Sequence, residues 1–184
     1  FGSGFDRSRM YDASMFGAVS RVVLDPIRLA EGCSAGDVRD AIVESNIVVA
    51  GTELNCSGGV VDGNWVSCEE TDRARHGYAF STRVDDRELV DAASRRITSW
   101  GRFKREGVSH DPLSEVVYMT EDHRSGCLYR FVPEDTAKPM GAGHYVPLGD
   151  ATPTTAKSWS MASITPCPRP CHPGPCPGQH RALP

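Results

Sequence analysis

The sequence predicts a mainly β fold of short antiparallel strands, arranged as a sandwich, a barrel or a propeller. Three observations carry this. Residues 107–133 repeat one rhythm, in which GVSHD, VVYMTED and CLYRFVP are separated by the turns PLSE and HRSG. The β-branched and aromatic residues of VVYMT and CLYRFV suit pleated, half-buried positions. Upstream, GYAFSTRV (77–84) alternates apolar and polar residues, as a half-buried strand does.

The elements follow in order. Residues 1–20 read as loop with at most one short element. SRVVLD (20–25) is a strand that ends at Pro26. In VRDAIVES (38–45), Val38, Ala41 and Ile42 fall at helical spacing and predict a short helix. NIVVAGT (46–52) is a buried strand stopped by Gly51, and NCSGGVVDG (55–63) is a run of small residues with a bend. NWVSCEE (64–70) is a strand, and DDRELVDAASRR (85–96) is a helical excursion. After residue 134 order is expected to fade, because proline at the density of the last residues forbids a ladder or a helix. Propeller blades recur about every 40–50 residues, so a propeller of this length implies a fragment of about three or four blades. The expected division is a poorly assigned segment 1–42, a core at 43–133 and a low-order tail at 134–184.

The totals narrow the function classes. At 184 residues the chain is long enough for one domain with a real core. Its net charge of −4 argues against a nucleic-acid partner, which would need a basic face. No apolar run is long enough to span a membrane, and no signal peptide is visible. Seven cysteines leave at least one unpaired within the chain.

Several clusters could carry chemistry. Cys68, Glu69 and Glu70 set a soft thiolate beside hard carboxylates, as a mixed-metal site requires. The plain alternative is a buried cysteine followed by solvent-facing acids. In GRFKREG (101–107), Glu106 lies among Arg102, Lys104 and Arg105. That is either a surface strand of alternating charge or a carboxylate ligand flanked by cations that hold an anionic substrate. Glu121 and Asp122 end an apolar strand, where acids form turns and also deliver oxygen ligands to calcium. Cys68 could pair with one of His76, His110, His123 or His144 in a nucleophilic dyad. Cys33 and Cys127 sit in structural contexts. The tail motif CPRPCHPGPC (167–176) has the ligand count of a zinc site but not a standard spacing.

Taken in order, GTELNCSGG, NWVSCEE, HGYAF, GRFKREGVSHDP and VVYMTEDHRSGCLYRFVP resemble the core of the PhoX-type alkaline phosphatases. That family carries NCAGG, a tryptophan-containing turn, CEE, a GRFKHEG-like segment and a Y-x-x-[ED]-D strand leading to YRF. The resemblance covers residues 43–133. It implies a β-propeller, here incomplete, and an extracytoplasmic (periplasmic or secreted) phosphomonoesterase that uses calcium and iron. It implies Cys68 as the iron ligand and Glu106 as the matching carboxylate. Glu69, Glu121 and Asp122 are further metal-ligand candidates, and the glycine pair is a tight approach near the cluster. Arg102 and Arg105 are candidates for steering a phosphate monoester by charge alone.

The chain departs from the family pattern in several places. Arg105 stands where the family has histidine, the VVDGNW turn is shorter than the TPWGTW type, and the tail replaces the charged residues expected downstream; residues 1–40 also fit the family poorly. A divergent or truncated member is expected. The competing expectations are a non-catalytic β-propeller binding module and a small metal-binding or redox protein built on Cys68 and the tail cysteines.

Overall fold

The computed structural model describes residues 5–30 and 37–146. A 3-10 turn at Arg7–Arg9, capped by the Asp6 carboxylate, precedes β1 (Gly17–Leu24). A short helix α1 (Pro26–Ala30) follows, then a second 3-10 turn at Asp37–Ala41 and β2 (Ile42–Thr52). The helix expected over 38–45 is therefore only this turn. From Ile42 the chain is extended, because Leu24 pairs with Ile42 and the β-branched residues join a ladder. Gly51 does not stop β2. It takes a positive φ of 82° and lets Asp12 N–H reach its carbonyl at 3.0 Å, while the strand continues to Thr52.

Two four-stranded antiparallel sheets make up the rest. The first is β3 (Asn55–Val61), β4 (Asn64–Glu69), β5 (Ala79–Thr82) and, after the four-residue helix α2 (Ala92–Arg95), β6 (Arg96–Ile97). The second is β7 (Arg105–Asp111), β8 (Val116–Glu121), β9 (Leu128–Pro133) and β10 (Gly143–Val146). The strands are laid down in chain order within each sheet, while β1 and β2 form a separate two-stranded ribbon. The expected mainly β class is present. No closed barrel or propeller is formed among the described residues.

Three local expectations change. The bend at 55–63 is strand β3 with a two-residue turn into β4, where Asp62 and Gly63 both take positive φ. The excursion at 85–96 is helical only at Ala92–Arg95, where the Asp91 side chain accepts from Ala93 N–H. Order persists beyond residue 134, since β10 pairs with β9. The zinc reading of 167–176 and the context of Cys33 lie outside the described residues.

One core joins the two sheets. Val61, Val66, Cys68, Ala79, Ile97, Trp100 and Phe103 pack with Val117, Met119 and Phe131. Each large side chain so buried contributes about 1.5–3 kcal/mol. The first strands of the two sheets lie against each other, and glycine makes this possible. A Cβ on Gly59 would sit 2.1 Å from the Val108 carbonyl oxygen. A smaller core of Val49, Phe80 and Ala92, with Tyr11, Val19, Tyr78 and Val90 against it, ties the ribbon to the first sheet.

Candidate functional site

The pairings Asn55 with Glu69 and Arg105 with Glu121 put the starts of β3 and β7 at the same sheet ends as the finishes of β4 and β8. Five polar side chains gather there: Cys56, Glu70, Lys104, Glu106 and Asp122. The Lys104 ammonium lies 3.0 Å from Glu70 Oε1 and 2.7 Å from Asp122 Oδ2. Asp122 N–H donates to the Lys104 carbonyl at 3.0 Å, which ties the residue before β7 to the residue after β8. Lys104 is pushed up from its ordinary value by its bonds to Asp122 and Glu70, and Asp122 is held below the usual carboxylate range first by Lys104. The exposed Cys56 thiol donates to Glu70, and this bond, with partial desolvation and the charges of Glu70 and Glu106, raises its pKa. Cys56 reaches this position because a bulge between Asn55 and Gly58 carries it out of the regular ladder.

The other expected site residues lie elsewhere. Cys68 is fully buried in the apolar core, and desolvation pushes its thiol up to about 12 although the Arg105 charge works against this. Glu69 is fully buried and accepts from Glu53 N–H at 2.9 Å, Gly77 N–H at 2.8 Å and Tyr78 N–H at 3.1 Å, with His76 Nδ1 2.8 Å away. These four bonds fill the acceptor capacity of a carboxylate and make Glu69 a clamp on the loop after β4. Glu121 accepts from the Tyr129 hydroxyl at 2.7 Å and from Cys127 N–H at 3.3 Å.

Of the two arginines, Arg102 is exposed and donates to the Arg73 carbonyl at 2.8 Å. Arg105 is wholly buried. It donates to the carbonyls of Trp100 at 2.7 Å and Gly101 at 3.1 Å, and its guanidinium lies 3.9 Å over the Phe103 ring. Desolvation lowers its pKa from the ordinary arginine value.

The donors at the sheet ends have the right chemistry for iron and calcium, one thiol with several carboxylates. As they stand, Glu70 and Asp122 are engaged by Lys104, and an ion could be held only once Lys104 gives them up. Among the described residues no three His, Cys, Asp or Glu side chains converge to hold a metal. Lys104 stands between Glu70 and Asp122, where a cation would bridge them.

These features define a mainly β protein with a thiol-bearing, carboxylate-rich cluster at one end of two facing sheets. The family model described as alkaline phosphatase PhoX matches residues 7–152, and the chain belongs to that family. The match extends on both sides of the motif-bearing stretch 43–133 and takes in the β1–β2 ribbon and β10. No curated protein and no solved structure matches the chain. No helix among the described residues is long and apolar enough to cross a membrane.

Proposed function

We propose that this chain carries the phosphomonoester-hydrolysing core of a PhoX-type alkaline phosphatase, in a divergent form, acting in the periplasm or outside the cell. The observation that carries the reading is the family match over residues 7–152. The two four-stranded sheets support it, because strands laid down in chain order with their first members facing each other are what adjoining propeller blades would present.

Charge supports the calcium and iron of this reading. Glu70, Glu106 and Asp122 set three carboxylates against the single ammonium of Lys104. A phosphate dianion is repelled by that excess, so binding it there requires added cations, which would take Glu70 and Asp122 from Lys104. When bound, such ions supply Lewis-acid charge. Cys56 is the better-placed thiol, since it is exposed and bonded to Glu70, whereas Cys68 lies in the core. Glu106 on β7 stays a candidate ligand with Asp122. Glu121 orients Tyr129, and Glu69 holds the loop behind the cluster. Arg102 is the arginine with access to a substrate, while Arg105 supports β7 from within.

The test is p-nitrophenyl phosphate hydrolysis with and without added calcium and iron. Turnover is expected to require the added ions and to fall about 100-fold or more in Glu70→Gln. Cys56→Ser should cost more than Cys68→Ala, and the reverse order would return the thiol role to Cys68. Hydrolysis indifferent to the ions and to Glu70→Gln would overturn the reading.

A further inference from the structure

Glu69 and Glu70 serve different neighbourhoods. Glu70 meets Lys104, whereas Glu69 meets His76, which forms a wall of a separate cavity of about 380 Å³. Tyr11, Asp12, Arg75, Tyr78 and Arg96 line the rest of its useful surface. None of these residues belongs to the cluster at the sheet ends.

Arg96 is the informative member. Its Nη1 donates to the Tyr11 hydroxyl at 2.8 Å, and its guanidinium carbon lies 4.8 Å from the Tyr78 ring centre and 5.3 Å from that of Tyr11. Its Nε is buried with no hydrogen-bond partner. The neighbouring Arg95 is paired with Asp86 at 2.7 Å, yet among the described residues Arg96 has no carboxylate partner. A half-buried cation without a counter-ion is costly, and two tyrosine faces offset that cost only in part.

The other charges do not supply the missing anion. Asp12 accepts from Ser14 N–H at 2.8 Å and from the Ser14 hydroxyl at 2.6 Å, and its second oxygen faces His76 Nε2 at 3.5 Å and Arg75 at 3.7 Å. Arg75 stands at the mouth with its side chain 84% exposed, so it is free to turn onto a ligand. His76 Nδ1 is committed to Glu69. The cavity therefore holds two guanidinium groups and a single carboxylate, which is already engaged and does not pair with Arg96.

We propose that this cavity is an oxyanion site, which takes a phosphate group, free or on a small ester, between Arg96 and Arg75. A guanidinium fork matches phosphate oxygens in a bidentate manner, and the cavity leaves room for an organic group against the tyrosine rings. The site goes beyond the hydrolase reading and stands without it.

Isothermal titration in EDTA separates the two, because the chelator removes any anion binding that depends on metal. The probes are inorganic phosphate and phenylphosphonate, a non-hydrolysable ester mimic, on the chain and on Arg96→Gln, Arg75→Gln and Glu70→Gln. Saturable one-to-one binding is expected, weakened about 10-fold or more by either arginine change and kept in Glu70→Gln. Tighter phenylphosphonate binding would identify an ester as the ligand, and tighter phosphate binding the free ion. Arg75→Gln, at the exposed rim, keeps the test valid if Arg96→Gln fails to fold. No saturable binding of either probe, or binding untouched by the arginine substitutions, would overturn the proposal.

Discussion

Two thiols close in sequence have opposite environments, and the difference is chemical. Cys68 is enclosed by Val61, Val66 and Trp100 of the core, and its pKa of about 12 leaves essentially no thiolate at neutral pH. Cys56 is exposed, and its thiol is held protonated chiefly by its bond to Glu70. Removing that carboxylate frees the thiol to ionise. Glu70→Gln should therefore raise the rate of Cys56 alkylation by iodoacetamide several-fold at pH 8, since the thiolate is the reacting form. Cys68 should stay unmodified until the protein unfolds. Site-resolved mass spectrometry after a short pulse reads both, and native-state labelling of Cys68 at the rate of Cys56 would contradict the burial described. Adjacency alone left the triplet Cys68–Glu69–Glu70 open between a metal site and a buried cysteine followed by solvent-facing acids, and only its place among the ordered family motifs favoured the former. The partnership of Cys56 with Glu70 was not legible, because it depends on the bulge after Asn55, and no local pattern marks where a ladder slips. Likewise nothing in the order of residues separates Glu69, filled by four hydrogen bonds, from Glu70, which is left for Lys104.

The elements that could be read from sequence were those whose side chains state their own periodicity. VVYMTE alternates, and Val117 and Met119 are buried as the alternation requires. NCSGGVV could not be read as β3, because glycine is depleted in strands and offers no side chain to pack. Its glycines serve the approach of other backbone instead. A Cβ at Gly58 would lie 1.9 Å from the Val66 carbonyl oxygen, within its own sheet, and one at Gly59 would lie 2.1 Å from that of Val108, in the facing sheet. The obstacle in both cases is backbone, which cannot swing aside as a side chain can. Gly59→Ala should thus push β3 from β7 and cost about 1–3 kcal/mol, the usual range for overpacking. Ser57→Ala, at an exposed neighbour on the same strand, should cost much less. Urea unfolding of the two variants measures the contrast, and equal midpoints would show that the sheets do not meet through Gly59. The same reasoning extends to the site, since any gap opened between β3 and β7 separates Cys56 from Glu106.

At the scale of the whole molecule, the two sheets share one core while the ribbon has mostly its own contacts. Trp100 and Phe103, from the loop before β7, pack against Phe131 and Tyr129 of the second sheet, with ring centres 6.2 Å and 4.3 Å apart. Buried Arg105 is held by the carbonyls of Trp100 and Gly101 and lies against Phe103, so the same loop is fixed from both sides. The sheets should therefore open as one cooperative unit, although the chain order would allow each to form alone. The ribbon differs: Val22, Ile42 and Val43 are 50%, 41% and 57% exposed, and its buried residues concentrate at the end of β2, in Val48, Val49 and Ala50. Phe131→Ala deletes a side chain at the centre of the shared core and should destabilise by about 3–5 kcal/mol. Hydrogen exchange read by mass spectrometry then distinguishes shared from separate opening. In the shared case Phe131→Ala speeds exchange in β4 as much as in β8 and β9, whereas amides of β1, which open through a local route, change little. Acceleration confined to β8 and β9 would mean that each sheet opens independently. The cluster of Cys56, Glu70, Glu106 and Asp122 would then rest on two separately mobile bodies and not on one rigid frame.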